Sequence, residues 1–260
     1  MRSTPELAAQ AGAFRDAHRG ELPIILPNVW DVMSARAVEG AGFPFLATSS
    51  SAVAQSLGEA DNNSMDPALV FGVIGRIATA SALPVTADIE AGYHLPPAAL
   101  AEALVAAGAI GCNLEDTDHE GGGLVDADDQ AERIAALREA ADGLGVPIVI
   151  NARIDSVVRK IGTDAEQLTE VIRRGRLFLD AGADCVYPIM LSDEAAIGSV
   201  VEALGAPVNV NLRAGGPSVA RLTELGVARV SYAGGLFRFL AQSLAAASAE
   251  LLHSPESLWR

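Results

Sequence analysis

The chain has 260 residues, half of them hydrophobic and only 5% aromatic, enough apolar material for one sizeable core built on Ala, Val, Leu and Ile. Its formal net charge of -15, from 18 Lys plus Arg against 33 Asp plus Glu, repels phosphate backbones and argues against nucleic-acid binding. The two cysteines, Cys112 and Cys185, lie far apart in apolar runs, which argues against a disulfide framework or a zinc site. Met1–Gly20 has scattered charges and no apolar centre, and no run is long enough to span a bilayer, so a cytoplasmic protein is expected.

In chain order, Ser3 to Arg19 predicts a helix, with Ser3 or Thr4 as cap, Pro5 in the first turn and an apolar stripe of Leu7, Ala8, Ala11 and Phe14. Pro23–Pro27 is a short apolar run and reads as the first strand. Asn28–Asp31 reads as loop, with Asp31 capping a helix to Gly40. Phe43–Ala47 predicts the second strand, followed by Thr48 and Ser49–Ser51 and then a long loop through Gly58, Asn62 and Asn63. Asp66-Pro67 opens a helix to about Ser81, Val85–Asp88 is the third strand, and Pro97–Ala107 is a helix stopped by Gly108. Gly111–Glu115 is the fourth strand. His119–Asp126, with Gly121–Gly123, is expected to be the most flexible stretch, and Ala127–Leu144 a long helix. The remaining strands are Ile148–Ala152, Cys185–Ile189, Val208–Val210 and Arg229–Tyr232. They are separated by helices at Asp164–Ala181, Ser192–Leu204 and Ser218–Leu225, and a last helix covers Leu236 to about Leu252.

Eight strands alternating with helices imply a parallel sheet with right-handed crossovers. At this length they imply a single-domain α/β chain, residues 1–260, folded as a closed (β/α)8 TIM barrel with an extra N-terminal helix. In such a barrel the site lies where strands end. That rule gathers Ser49, Ser50, Ser51, Asp88, Glu90, Glu115, Arg153, Asn211 and Arg213 on one rim. Asp88 and Glu90 stand two apart on extended chain and so share a face. Carboxylates at adjoining strand ends suit a hard divalent cation such as Mg²⁺, which takes one or two of them plus waters and ligand oxygens.

Several stretches together resemble one family: Pro27-Asn28-Val29-Trp30-Asp31 with Ser34-Ala35-Arg36, Thr48-Ser49-Ser50-Ser51, Asp88-Ile89-Glu90-Ala91-Gly92-Tyr93, Leu114-Glu115-Asp116 and Ala152-Arg153-Ile154-Asp155. In order and spacing they are similar to the isocitrate lyase/phosphoenolpyruvate mutase superfamily, from about Ile24 to Arg238. The resemblance implies a Mg²⁺-dependent (Mn²⁺ as an alternative) barrel that makes or breaks C–C or C–P bonds beside a 2-oxo acid or its enolate. It implies that Ser49, Ser50 and Ser51 hold substrate oxygens, that Asp88 holds the metal with Glu90, Glu115 and Asp61 around it, and that Arg153 and Asn211 face the substrate. Trp30 belongs to a matched stretch and reads either as substrate contact or as packing under the rim. The matched motif places Tyr93 beside the metal as a candidate catalytic hydroxyl donor, with core packing as the alternative. The resemblance further implies a homodimer or homotetramer in which the last helix swaps between subunits, and this helix carries more apolar surface than one barrel face covers.

The departures fall in the part that names the reaction. Family lyases carry a Lys- and Cys-containing loop after the fourth strand; here it reads Asp118-His119-Glu120-Gly121-Gly122-Gly123. Ile189 stands where mutases have His and methylisocitrate lyases have Glu, and Ala214 stands where the latter have a second Glu. His119 or Glu120 is therefore the candidate acid/base, on a loop whose glycines could hinge it as a lid, and Arg213 is the candidate cation for a second carboxylate. The expected activity is a lyase or decarboxylase acting on a small 2-oxo or 2-hydroxy acid through an enolate. The alternatives are hydrolysis of a C–C or C–P bond, or simple 2-oxo acid binding.

Overall fold

The computed structural model describes residues 2–257. The expected single domain of residues 1–260 includes Met1 and 258–260, which lie outside the described residues. The elements run α1 (Thr4–Ala17), β1 (Ile24–Leu26), β2 (Asn28–Val29), α2 (Val32–Gly40), β3 (Leu46–Thr48), α3 (Ser50–Leu57), α4 (Pro67–Ala80), β4 (Val85–Asp88), α5 (Pro97–Ala106) and β5 (Ala109–Glu115). They continue with α6 (Ala127–Gly143), β6 (Val149–Ile154), α7 (Asp164–Asp180), β7 (Cys185–Pro188), α8 (Glu194–Leu204), β8 (Asn209–Asn211), α9 (Val219–Glu224), β9 (Arg229–Ser231) and α10 (Gly235–His253).

All strand pairs are parallel. One run is β2-β3-β4-β5-β6-β7 and the other is β1-β9-β8. A single bridge, Val186 to Val208, joins β7 to the start of β8. At the other seam β1 and β2 are two halves of one barrel strand split at Pro27, which has no N–H for a ladder. Asn28 stitches that seam: its amide donates to Thr48 O at 2.8 Å, and its side-chain oxygen accepts from Tyr232 N at 2.7 Å. The eight-strand barrel is thus closed, as the alternation predicts. Where β5 meets β6, Gly111 permits a close approach: a Cβ there would lie 2.6 Å from Val149 O.

The long helices match the expected runs closely. Ser3 with Glu6 makes the capping box of α1, and Asp31 caps α2 by accepting from Ser34 N. Gly42, Gly108 and Gly182 follow alanine C-caps at positive φ and turn the chain into the next strand.

Three local expectations are corrected. Asn28–Val29 is strand rather than loop, because Asn28 satisfies both neighbours through its side chain. Ser50–Leu57 is a helix inside the expected long loop, capped by Ser49 and ended by Gly58 at φ 77°. The 119–126 stretch is a hydrogen-bonded hairpin rather than a loose run. Thr117 bridges Leu124, Asp118 N donates to Gly123 O at 3.2 Å, and Val125 N donates to Asp116 O at 2.9 Å. The Asp118 carboxylate accepts from the backbone of Glu120 and Gly121. α10 buries none of its residues and leaves Phe239 and Leu244 more than 60% exposed.

Candidate active site

β4 ends in Asp88, whose N–H donates to Thr48 Oγ1 on the neighbouring strand at 2.8 Å. Its Oδ2 accepts from the backbone N–H of Ser50 at 3.2 Å and from the Ser50 hydroxyl at 3.1 Å. Both donors stand at the N-terminus of α3, where the helix dipole and free N–H groups favour an anion. The other oxygen, Oδ1, is buried and has no partner among the described residues. Burial pushes the Asp88 pKa up to about 6, opposed by Arg153 and aided by the charges of Glu115 and Asp61.

The chain beyond Asp88 is bent into unusual backbone. Glu90, Tyr93 and His94 have φ of 48°, 51° and 59°, and Asn63, packed against them, has 61°. Such left-handed conformations at non-glycine residues collect where structure is held for function. Asn63 fixes the bend with both ends: its N–H donates to Glu90 Oε2, and its side-chain oxygen accepts from Tyr93 N at 2.7 Å. Glu90 Oε1 is buried with no geometrically sound hydrogen bond among the described residues, and the Tyr93 hydroxyl lies beside the carboxylate. Burial, then the charge of Asp61, push the Glu90 pKa up to about 8.

Glu115 ends β5 and joins two neighbours. Its Oε1 meets His119 Nε2 at 2.7 Å and its Oε2 meets Arg153 Nη1 at 2.5 Å. Burial opposes its charge, but Arg153 and His119 outweigh burial and hold Glu115 below the usual range. The same bond to Glu115 raises the pKa of His119, against partial burial. Arg153 on β6 is gripped by Asp155 through Nε at 2.7 Å and Nη2 at 2.8 Å. Asp155 in turn accepts from Thr117 Oγ1 at 2.6 Å, and its N–H donates to Asp116 at 2.8 Å. Asp61 is exposed along one flank, but on the site side burial raises its pKa, with Ser50 lowering and Glu115 raising it.

The fold therefore brings Ser50, Asp61, Asp88, Glu90, Glu115, His119 and Arg153 together. The other expected residues have other employment. Ser49 caps α3 by accepting from Ala52 N, and its hydroxyl lies 3.1 Å from that of Ser51. Tyr93 has a buried hydroxyl beside Glu90, and burial and the Glu90 charge keep it protonated. The Trp30 ring packs edge-on against Phe237 at 5.1 Å and lines an apolar cavity with Met33, Leu236 and Leu240, which is the packing alternative for this residue. Asn211 accepts from Met190 N at 3.0 Å, and Arg213 is exposed and bonded to Ser192 at 2.6 Å. Glu120 points to solvent, 3.8 Å from His94.

Sequence reasoning gave no role to Thr48, Asn63 or Thr117 and quoted Asp155 without one. Nothing local marks the first three; they matter because distant strand ends meet. Asp155 was detectable, since it stands two residues from Arg153 at the end of the same strand.

Among the described residues no three His, Cys, Asp or Glu side chains close into a ready-made metal cage. The arrangement still fits a hydrated Mg²⁺. Asp88 and Glu90 each present a buried oxygen that lacks a sound hydrogen bond among the described residues, and four carboxylates crowd one end of the barrel. A cation that keeps several waters needs one or two direct carboxylates and outer ones to orient its waters.

The fold and the cluster define a (β/α)8 enzyme with acidic and cationic groups on the C-terminal rim. The chain belongs to the phosphoenolpyruvate phosphomutase family, whose model matches residues 14–252, and so to the isocitrate lyase/PEP mutase superfamily of lyases and mutases. A solved structure from Burkholderia cenocepacia J2315, provisionally described as a phosphonomutase, is 42% identical with a TM-score of 0.87, covering 92% of this chain and 99% of that one. An uncharacterised protein of Mycobacterium tuberculosis is 32% identical over 230 residues, 86% of this chain and 85% of that protein. A 2-methylisocitrate lyase of Halalkalibacterium halodurans is 28% identical over 235 residues, 87% of this chain and 72% of that enzyme. Among the described residues no helix is long and apolar enough to cross a membrane.

Proposed function

We propose that the chain is a Mg²⁺-dependent lyase that cleaves a C–C bond, or decarboxylates, in a small 2-oxo or 2-hydroxy carboxylic acid through an enolate. The observation that carries this reading is the pair of buried oxygens without a sound hydrogen bond among the described residues, Asp88 Oδ1 and Glu90 Oε1, inside a cluster of like charges. Asp88 would hold Mg²⁺ or Mn²⁺, with Glu90, Asp61 and Glu115 orienting its waters. Bound there, the ion supplies stabilisation for the negative charge that grows on an enolate oxygen.

Arg153 has five N–H donors, of which three are used by Asp155 and Glu115, so two remain for a substrate carboxylate. Asp155 and Glu115 hold the guanidinium still while it binds. His119 is the better of the two loop candidates for moving the proton, because it is enclosed and tied to Glu115, whereas Glu120 faces solvent. The hydrogen-bonded hairpin of Asp118–Gly123 carries His119 to Glu115 at the site. The uncovered apolar side of α10 supports assembly as a homodimer or homotetramer. Light scattering at micromolar concentration tests this, and a monomeric mass would refute it.

Incubating 2-oxo acids, 2-hydroxy dicarboxylates and phosphonates with the protein, with Mg²⁺ and then with EDTA, and weighing the products tests the activity. Release of a small 2-oxo acid or CO₂ only with the metal is the expected result. Release of phosphate would move the reading to C–P hydrolysis. Turnover unchanged in EDTA would refute the metal assignment.

A further inference from the structure

Below the rim the barrel interior is unexpectedly polar. Arg229 begins β9, is fully buried and crosses the barrel to the opposite strand, where its Nη2 donates to Asn113 Oδ1 at 3.1 Å. Asn113 Oδ1 also accepts from Asn151 at 2.8 Å. Asn209, the register partner of Arg229 on β8, turns its oxygen to Ser231 at 3.2 Å. The rest of this layer has no partner among the described residues: Arg229 Nε and Nη1, Asn209 Nδ2, Thr86 Oγ1 and Asn151 Oδ1 are all buried and unbonded.

The charge is the larger anomaly. A guanidinium cannot give up its proton in a protein, and an isolated buried ion costs far more than a missing hydrogen bond. No carboxylate pairs with Arg229 among the described residues. Asp88 attracts it without contact, and its Oδ2 is taken by Ser50. On the barrel's other face, Asp184 is shared by Arg15 at 2.6 Å and Arg138 at 2.5 Å, so it has no charge to spare. The Phe14 ring, 5.7 Å from the guanidinium carbon, gives only a cation–π contact. Water could occupy the unbonded donors but would leave the positive charge uncompensated.

We infer that the barrel interior holds one small monovalent anion, of halide size, seated on Arg229 Nε and Nη1 with the Asn209 amide. Arg229, Asn209 and Asn151 are all fully buried, which favours a single compact ion over a larger one. This seat is independent of the proposed activity, since it lies beneath the rim and uses none of its residues.

Crystals of the full chain soaked in sodium bromide test it directly. An anomalous bromide peak within hydrogen-bond distance of Arg229 Nε or Nη1 is expected; ordered water alone at both atoms overturns the proposal. In solution the thermal midpoint should climb with the logarithm of chloride concentration when gluconate keeps ionic strength constant. Arg229→Met should lose both the peak and the chloride response, and an equal response in this variant and the parent overturns the assignment. Should Arg229→Met fail to fold, Asn209→Ala keeps the charge and removes one donor. It is expected to weaken the chloride response, and an unchanged one counts against the seat. The bromide experiment on the unaltered chain decides in every case.

Discussion

The two ends of the barrel treat charge in opposite ways. At the N-terminal end, Asp184 accepts from Arg15, Arg138 and the backbone N–H of Ile150, so its carboxylate is fully matched by the protein. At the C-terminal rim, Asp61, Asp88, Glu90 and Glu115 raise or oppose one another's charge, and two buried oxygens go without a sound hydrogen bond among the described residues. The left-handed residues Asn63, Glu90, Tyr93 and His94 gather at the rim end. The difference teaches where the molecule is complete by itself and where it is built around something else. Groups satisfied internally hold the fold; groups left unsatisfied at a cost in stability are available to a ligand.

The contrast can be broken most sharply at Asp88. Asp88→Ala is expected to abolish metal-dependent turnover while leaving circular dichroism and compactness unchanged, because it removes a rim oxygen and no internal ion pair. Retained turnover in the variant would mean that the rim cluster is not the site. Next is His119→Ala, which should cost about 10²–10⁴-fold in kcat if this side chain moves the proton. Steady-state kinetics on the first substrate found would measure it, and full turnover would rule His119 out as the acid/base.

The N-terminal end should answer in stability rather than activity. Asp184→Asn leaves Arg15 and Arg138 without their shared carboxylate, and about 3 kcal/mol of folding free energy should be lost, read from urea midpoints. The folded fraction should keep its kcat.

The pH dependence of the metal-free protein sharpens the same comparison. Unfolded carboxylates ionise at about pH 4, whereas Asp88 and Glu90 keep their protons up to about 6 and about 8 in the fold. A raised carboxylate pKa means that the unfolded chain releases its protons first. The stability these two groups contribute is therefore present at low pH and lost as pH climbs through those values. Added Mg²⁺ should reduce that loss, and more at about pH 8 than at about pH 5. Urea unfolding at both pH values with Mg²⁺ or EDTA measures it, and identical curves would speak against a cation at Asp88 and Glu90. The smallest effect belongs to Glu120→Ala: an exposed carboxylate should change kcat by no more than about twofold.

The sequence by itself determined the barrel, because the apolar runs recur with helical stretches between them and eight such units leave few topologies. It also determined that Asp88, Glu90, Glu115 and Arg153 lie on one rim, since each ends a strand. Their division of labour was decided only by tertiary structure. Arg153 is committed on one side to Asp155, Glu115 spans Arg153 and His119, and Asn63 holds Glu90, all across gaps of 25 residues or more except the nearest pairs. Local pattern could not show that Ser50 opens a helix aimed at Asp88, because three serines in a row read as loop. Nor could it show that Arg229, inside an ordinary strand pattern, reaches across the barrel to Asn113. Periodicity reports which face a residue occupies; what it meets there depends on strands brought together from the far end of the chain.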